Sequence, residues 1–203
     1  MAGSLARFFR WDHAGCIVSQ AFDVRQYPDT LAEFFWRYSR LSDGERGHDW
    51  SVQRATLEQE HLFRDMVKEY LGLQLELTGE ELERALVTHY QAGHVAVVRV
   101  DTQESLPDDE DPHFFIVSRP VITPLHLEGR STRGYWAVNA KTREVVFLKD
   151  TWRTCSSKER EGDILRHLNE LGVRNVPNLG VHGDIYHCMI GYRSAASPYP
   201  SRS

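Results

Sequence analysis

The sequence predicts an α+β fold in which helices and strands are segregated along the chain. Three observations carry this. Apolar residues repeat at helical spacing in three stretches before Gly93, short β-branched and aromatic runs joined by tight turns dominate from Phe114 onward, and no β-α-β alternation is present to build a parallel sheet. The expected architecture is a mostly antiparallel sheet built between Phe114 and about Tyr192. One helix packs on its face, and the three earlier helices form a satellite layer.

The elements follow in order. Cys16 to Phe22 mixes β-branched and aromatic residues and predicts a strand, with Asp12-His13-Ala14-Gly15 as the turn before it. Pro28 and Asp29 open a helix whose Leu31, Phe34, Phe35, Tyr38 and Leu41 share one buried face. A second helix is predicted from about Ser51 to Leu71, with Leu57, Phe63, Met66, Val67 and Tyr70 inward and Gly72 ending it. Thr78 and Glu81 have capping-box spacing and start a third, with Leu82, Leu86 and Tyr90 inward, which stops at Gly93. His94 to Val100 is an apolar β run, and the acidic stretch Asp101 to Asp111 is a solvated loop. Strands are expected at Phe114–Val117, Tyr135–Asn139 and Glu144–Leu148, with a Pro-punctuated run through Pro120 and Pro124 and a hairpin turn at Ala140 to Arg143. A last helix begins near Ser156, capped by Ser156 and Glu159, buries Ile164, Leu165, Leu168 and Leu171, and ends at Gly172. The Pro/Ser-rich tail 194–203 is expected to fray.

Composition bounds the function. The 203 residues are 41% hydrophobic and 26% charged, enough for a packed core. The 24 basic and 29 acidic residues leave a net charge of -5, which argues against nucleic acid and membrane surfaces as partners. No apolar run approaches the roughly 18 residues of a membrane span. The first ten residues reach charge too soon for a signal-peptide core. Three widely spaced cysteines, Cys16, Cys155 and Cys188, suit free thiols in an intracellular compartment, cytoplasmic or nuclear.

Lys149 closes the apolar strand Val145-Val146-Phe147-Leu148, and Glu161 lies in the first turns of the last helix. A lysine on a sheet and a carboxylate on a helix beside it can form an ion pair. By pattern alone such residues are ordinarily solvated surface charges. The neighbouring blocks add weight. Phe8-Phe9-Arg10-Trp11-Asp12, Ala32 to Arg37, Gly129 to Tyr135, Leu148-Lys149-Asp150-Thr151-Trp152-Arg153, Glu161 to Asn169 and Val181-His182-Gly183-Asp184 resemble the fungal-type protein kinase family, a divergent branch of the kinase fold. The resemblance runs to about Ile185, and the Leu-Lys-Asp-Thr-Trp-Arg block is its most specific piece.

That resemblance implies a mostly helical family-specific extension over 1–112, a kinase-like N-lobe over 113–193, and a flexible tail over 194–203. It implies ATP with Mg²⁺ as cofactor, transfer of the γ-phosphoryl group to a protein Ser/Thr hydroxyl, and Gly129, Lys149 and Glu161 as the nucleotide-binding residues. Departures from the kinase pattern stand beside it. Leu127 and Thr132 fall where two further loop glycines would be, Gly134 takes the place of the valine above the adenine, and Phe147 that of the small alanine before the lysine. Neither a His-Arg-Asp nor an Asp-Phe-Gly motif occurs, and the C-lobe is expected to be absent from these 203 residues. No residue is therefore assigned a catalytic role.

Other constellations carry less. His182-Gly183-Asp184 matches the catalytic triplet of related small-molecule phosphotransferases but comes too soon after Lys149, where a strand-start turn is the plainer reading. His182, His187 and Cys188 lack the paired spacing of a metal site, Cys155 has no adjacent histidine, and the five tryptophans fit core packing, so no metal site is assigned. Two functional readings result: an N-lobe-containing part of a protein kinase, inactive alone, or a pseudokinase-like module that associates with a protein partner through an exposed apolar underside.

Overall fold

The computed structural model describes residues 3–12, 15–101, 112–125, 131–152 and 160–183. In chain order these form β1 (Leu5–Ala6), β2 (Phe9–Asp12), β3 (Gly15–Val18), β4 (Phe22–Asp23), α1 (Pro28–Ser39), β5 (Val52–Arg54), α2 (Leu57–Leu75), α3 (Gly79–His89), β6 (Ala96–Val100), β7 (His113–Val117), β8 (Arg133–Asn139), β9 (Val145–Asp150) and α4 (Glu161–Glu170). The fold is mixed, with helices and wholly antiparallel sheets.

The main sheet is a five-stranded meander, β5-β6-β7-β8-β9. It takes two strands from before residue 112 and three from after it, so it starts well ahead of the expected Phe114. β5 accounts for the difference. Val52-Gln53-Arg54 pairs with Val98-Val97-Ala96, and α2 begins later than Ser51, at a capping box that Thr56 makes with Gln59. The Thr56 hydroxyl accepts the Gln59 N–H at 3.2 Å, and the Gln59 side chain accepts the Thr56 N–H at 2.9 Å. The helix also runs on through Gly72 to a left-handed cap at Glu76. A side chain at Gly72 would find ordinary contacts with Leu77 and Leu82, 3.6 Å away, so nothing there forces the helix to stop.

Two of the three early helices do more than flank the sheet. Phe63, Val67 and Leu71, four residues apart along α2, meet Leu86 of α3, Val95 just before β6, and Val97, Ile116 and Val138 of the sheet in one buried cluster. Leu57, expected inward, is 75% exposed at the first turn of α2. Phe115, Val117 and Ala137 form a second cluster on the opposite sheet face, joined by Leu148 and Val181. Thr78 is the N-cap of α3, as expected, but its hydroxyl makes no capping bond. Glu60 ties the layers together by accepting from the Tyr90 hydroxyl at 2.8 Å and the Gly93 N–H at 2.9 Å, which hold its carboxyl below the usual range.

The N-terminal expectations need two corrections. The single strand from Cys16 to Phe22 is split into β3, paired with β2, and β4, paired with β1. The apolar face of α1 contains no buried residue. Its rings instead pack on one another and on Phe8: Phe34 stacks on Tyr38 and on Phe8, the latter with centroids 4.3 Å apart, and meets Phe35 in a T-shaped pair. Cys16 is a free thiol. Among the described residues, no helix is long and apolar enough to cross a membrane. The acidic loop beyond Asp101, the Ser156–Glu159 capping box and the tail lie outside the described residues.

Candidate functional site

The β8–β9 turn sets the site's register. The Asn139 side chain accepts the N–H groups of Lys141 and Thr142 at 2.9 and 3.1 Å, and Arg143 takes a left-handed φ of 64° to close the hairpin. Pairing then runs Val138↔Val145, Trp136↔Phe147 and Gly134↔Lys149. With a two-residue repeat, Lys149 emerges on the same face as Val138 and Trp136, the face that α2 covers, where Tyr70 meets Trp136.

Beyond the reach of α2, α4 presents Glu161 to that lysine. The Lys149 Nζ lies 2.6 Å from both Glu161 carboxylate oxygens. The side chains are 41% and 50% exposed, so the pair contributes only about 0–1 kcal/mol to stability. Its consequence is geometric. A two-point hold fixes the ammonium at the rim of the sheet with donor capacity left for a second anion. Gly129, the third expected site residue, lies outside the described residues. The far end of its loop is fastened at Thr132, whose hydroxyl meets that of Thr151 at 2.9 Å.

Gly134 and Phe147 settle into one arrangement. A Cβ at Gly134 would come within 2.6 Å of Phe147 Cζ and 3.2 Å of two Ile122 carbons. The phenyl ring therefore lies across the glycine instead of projecting from the sheet, and it stands nearly perpendicular to the Trp136 ring at a centroid distance of 5.6 Å. Ile122 arrives through backbone pairing. The N–H groups of Val121 and Ile122 donate to the Gly134 carbonyl at 2.8 and 3.2 Å, and the Gly134 N–H donates to Ile122 O at 3.0 Å. The Pro-punctuated run is thus a short extra partner for β8. On the opposite face, burial pushes the Tyr135 phenol above its ordinary range.

α4 departs from expectation in how it is held. Ile164 is 46% and Leu171 65% exposed, Leu165 and Leu168 are half-buried, and no residue of the helix is buried. Polar anchors do the holding, at Glu161 and again at His182. His182 lies against Gly162, with Arg166 and Asp163 beside it. Sequence reasoning weighed His182 only as part of the His-Gly-Asp triplet or a metal set. A glycine in the first turn of a helix was the available signal of close approach. Asp184, Cys155, His187 and Cys188 lie outside the described residues, among which no group of three or more His, Cys, Asp or Glu could hold a metal ion.

The donor set suits phosphate. Lys149 offers an ammonium already oriented by a carboxylate, and the Phe147 face beside it is flat and partly open. The family model for the fungal protein kinase matches residues 1–191. No curated protein and no solved structure matches the chain.

Proposed function

Since the chain belongs to the fungal protein kinase family, we propose that Lys149 and Glu161 form the phosphate clamp of a kinase N-lobe that serves γ-phosphoryl transfer from ATP to a protein Ser/Thr hydroxyl. The observation that carries the reading is the two-point contact of Lys149 with Glu161, 2.6 Å to each oxygen. In this reading residues 113–193 supply the N-lobe and 1–112 the extension. ATP would enter with Mg²⁺, which when bound would offset the negative charge of the phosphates. Glu161 holds the ammonium, Lys149 donates to the α- and β-phosphate oxygens, and Gly129 lets the loop backbone approach them. The adenine is accommodated beside the Phe147 ring because that ring is laid over Gly134. The catalytic-base and Mg²⁺-binding aspartates of a kinase have no His-Arg-Asp or Asp-Phe-Gly motif to carry them in the 203 residues, so these residues supply binding and orientation. The free thiol at Cys16 suits an intracellular setting.

Titration of a fluorescent ATP analogue, with and without Mg²⁺, tests the reading. Saturable binding that is lost in Lys149→Met supports it, and no binding to the unaltered chain overturns it. The exposed apolar residues Ile164, Leu171 and Val173 favour a second reading, a pseudokinase-like module that associates with a protein partner. ATP turnover and oligomeric state, measured together on the purified chain, separate the two.

A further inference from the structure

The chain that follows α4 turns back along it and is fastened to it repeatedly. Gly172, at φ 65°, reverses the direction, with Gly172 N–H donating to Asn169 O and Val173 N–H to Leu168 O, each at 3.0 Å. The Asn169 side chain then grips the returning segment, donating to Pro177 O at 3.0 Å and accepting from Leu179 N–H at 2.8 Å. Val181 enters the apolar cluster around Phe115, Val117 and Ala137, on the sheet face away from Lys149. His182 comes last. Its side chain is 16% exposed, and its ring covers Gly162 so closely that a Cβ there would overlap Cγ, Nδ1 and Cδ2. Its Nε2 meets Arg166 Nη2 at 2.7 Å and Asp163 Oδ1 at 3.3 Å. Arginine can only donate, so in the Arg166 contact the ring nitrogen is the acceptor.

Segment 173–183 is therefore a strap that leaves the C-terminal end of α4, is held at Asn169, and at its far end seats Val181 in the sheet cluster and His182 on the first turn of α4. We propose that His182 is a positioning residue for Glu161: by seating its flat ring on Gly162, the next residue, and bonding Arg166 one turn on, it sets where the Glu161 carboxylate meets Lys149. The strap locates a helix whose own apolar residues do not bury against the sheet. A glycine is needed at 162 because any side chain there would displace the ring. The proposal deepens the phosphate-clamp reading and rests on it for its functional meaning, while its geometry stands apart.

The test measures acylation of individual lysines by an amine-reactive reagent, read by peptide mass spectrometry on the full 203-residue chain. A lysine held by a carboxylate reacts slowly, and Glu161→Gln sets the released rate for Lys149. Lys68, paired with Glu83 at 2.5 Å and similarly half-exposed, is the internal control. His182→Ala and Gly162→Ala are expected to raise Lys149 labelling several-fold, towards the Glu161→Gln rate, with Lys68 unchanged. His182→Gln, which keeps an acceptor for Arg166, is expected to restore most of the protection. Should His182→Ala not fold, Gly162→Ala and His182→Gln carry the test. Unchanged Lys149 labelling in folded His182→Ala or Gly162→Ala overturns the proposal, and so does a parallel rise at Lys68, which would make His182 a general stabiliser. If the Lys149 response holds but the unaltered chain binds no ATP analogue, the phosphate-clamp reading fails and the positioning geometry stands. If the analogue binds and Lys149 does not respond, the positioning proposal fails alone.

Discussion

Gly134→Ala tests the packing that decides the shape of the sheet face beside Lys149. Gly134 has no left-handed φ, so the substitution costs nothing in backbone conformation and acts through space alone. The added methyl would sit 2.6 Å from Phe147 Cζ and 3.2 Å from Ile122 Cβ and Cδ1. Ile122 is pinned by backbone bonds to Gly134, so the phenyl ring must give way. Overpacking of this kind costs about 1–3 kcal/mol. The ring itself sets a ceiling. It is 47% exposed. Burial of roughly half of its ~200 Å², at ~25 cal/mol/Å², contributes about 2–3 kcal/mol, which is the most that swinging it outward can cost. Gly134→Ala is therefore expected to destabilise by about 1–3 kcal/mol, and Phe147→Ala by about 2–3 kcal/mol. In the double variant the methyl meets only Ile122, so the two effects should fall short of additivity by about 1–2 kcal/mol. Urea unfolding followed by tryptophan fluorescence measures this directly, since Trp136 packs against the ring in a T-shaped pair at 5.6 Å. Strict additivity, or a Gly134→Ala protein as stable as the parent, would refute the claim that the two positions share one space.

Lys149→Met and Glu161→Gln should each shift unfolding free energy by no more than about 1 kcal/mol, because both side chains are well exposed; a larger loss in urea titration would show a structural role. Phe63→Ala, at the centre of the larger core, is expected to cost about 3–5 kcal/mol in the same assay. His89 has a buried Nδ1 without a partner, and burial lowers its pKa below 6.5. The unfolded chain then takes up the proton first, so this contribution to stability is fully present above pH 6.5 and is lost as pH falls below it. His89→Gln should flatten that part of a stability-versus-pH curve. With no base or Mg²⁺-binding motif among them, the 203 residues alone should transfer no labelled γ-phosphate to a protein acceptor; Mg²⁺-dependent transfer lost in Lys149→Met would show a substitute base at work, with Asp184 the first to test.

The helices and the later strands were legible because their patterns are long. Phe63 and Val67 recur at helical spacing, and the run from Tyr135 to Leu148 alternates around a turn whose Asn139 is itself a turn residue. β5 was not, since three residues are too few to show a period, although Thr56 and Gln59 marked where α2 begins. Phe34, Phe35 and Tyr38 announced a helix correctly but not a covered one. Amphipathic spacing fixes which residues share a face and says nothing about what lies over it. The Lys149–Glu161 juxtaposition was legible only through the kinase resemblance, because two charges on separate elements have no local signature. His182 reaches Gly162 through a segment without regular structure, and no periodicity encodes such a contact.

The meander has a consequence for how the chain reaches its fold. Each pairing from β6 to β9 joins consecutive strands, and the tightest, β8–β9, closes only residues 140–144. β5 and β6 are separated by residues 55–95, which include both helices of the main core. That loop is roughly eightfold longer, about three doublings, so closing it costs on the order of 2 kcal/mol more in chain entropy before α2 and α3 compact it. Folding should nucleate at the Asn139 turn and propagate towards β6, with Val52–Arg54 docking last, after the helices have condensed. Substitutions at Asn139 should then slow refolding, while those in β5 should mainly speed unfolding.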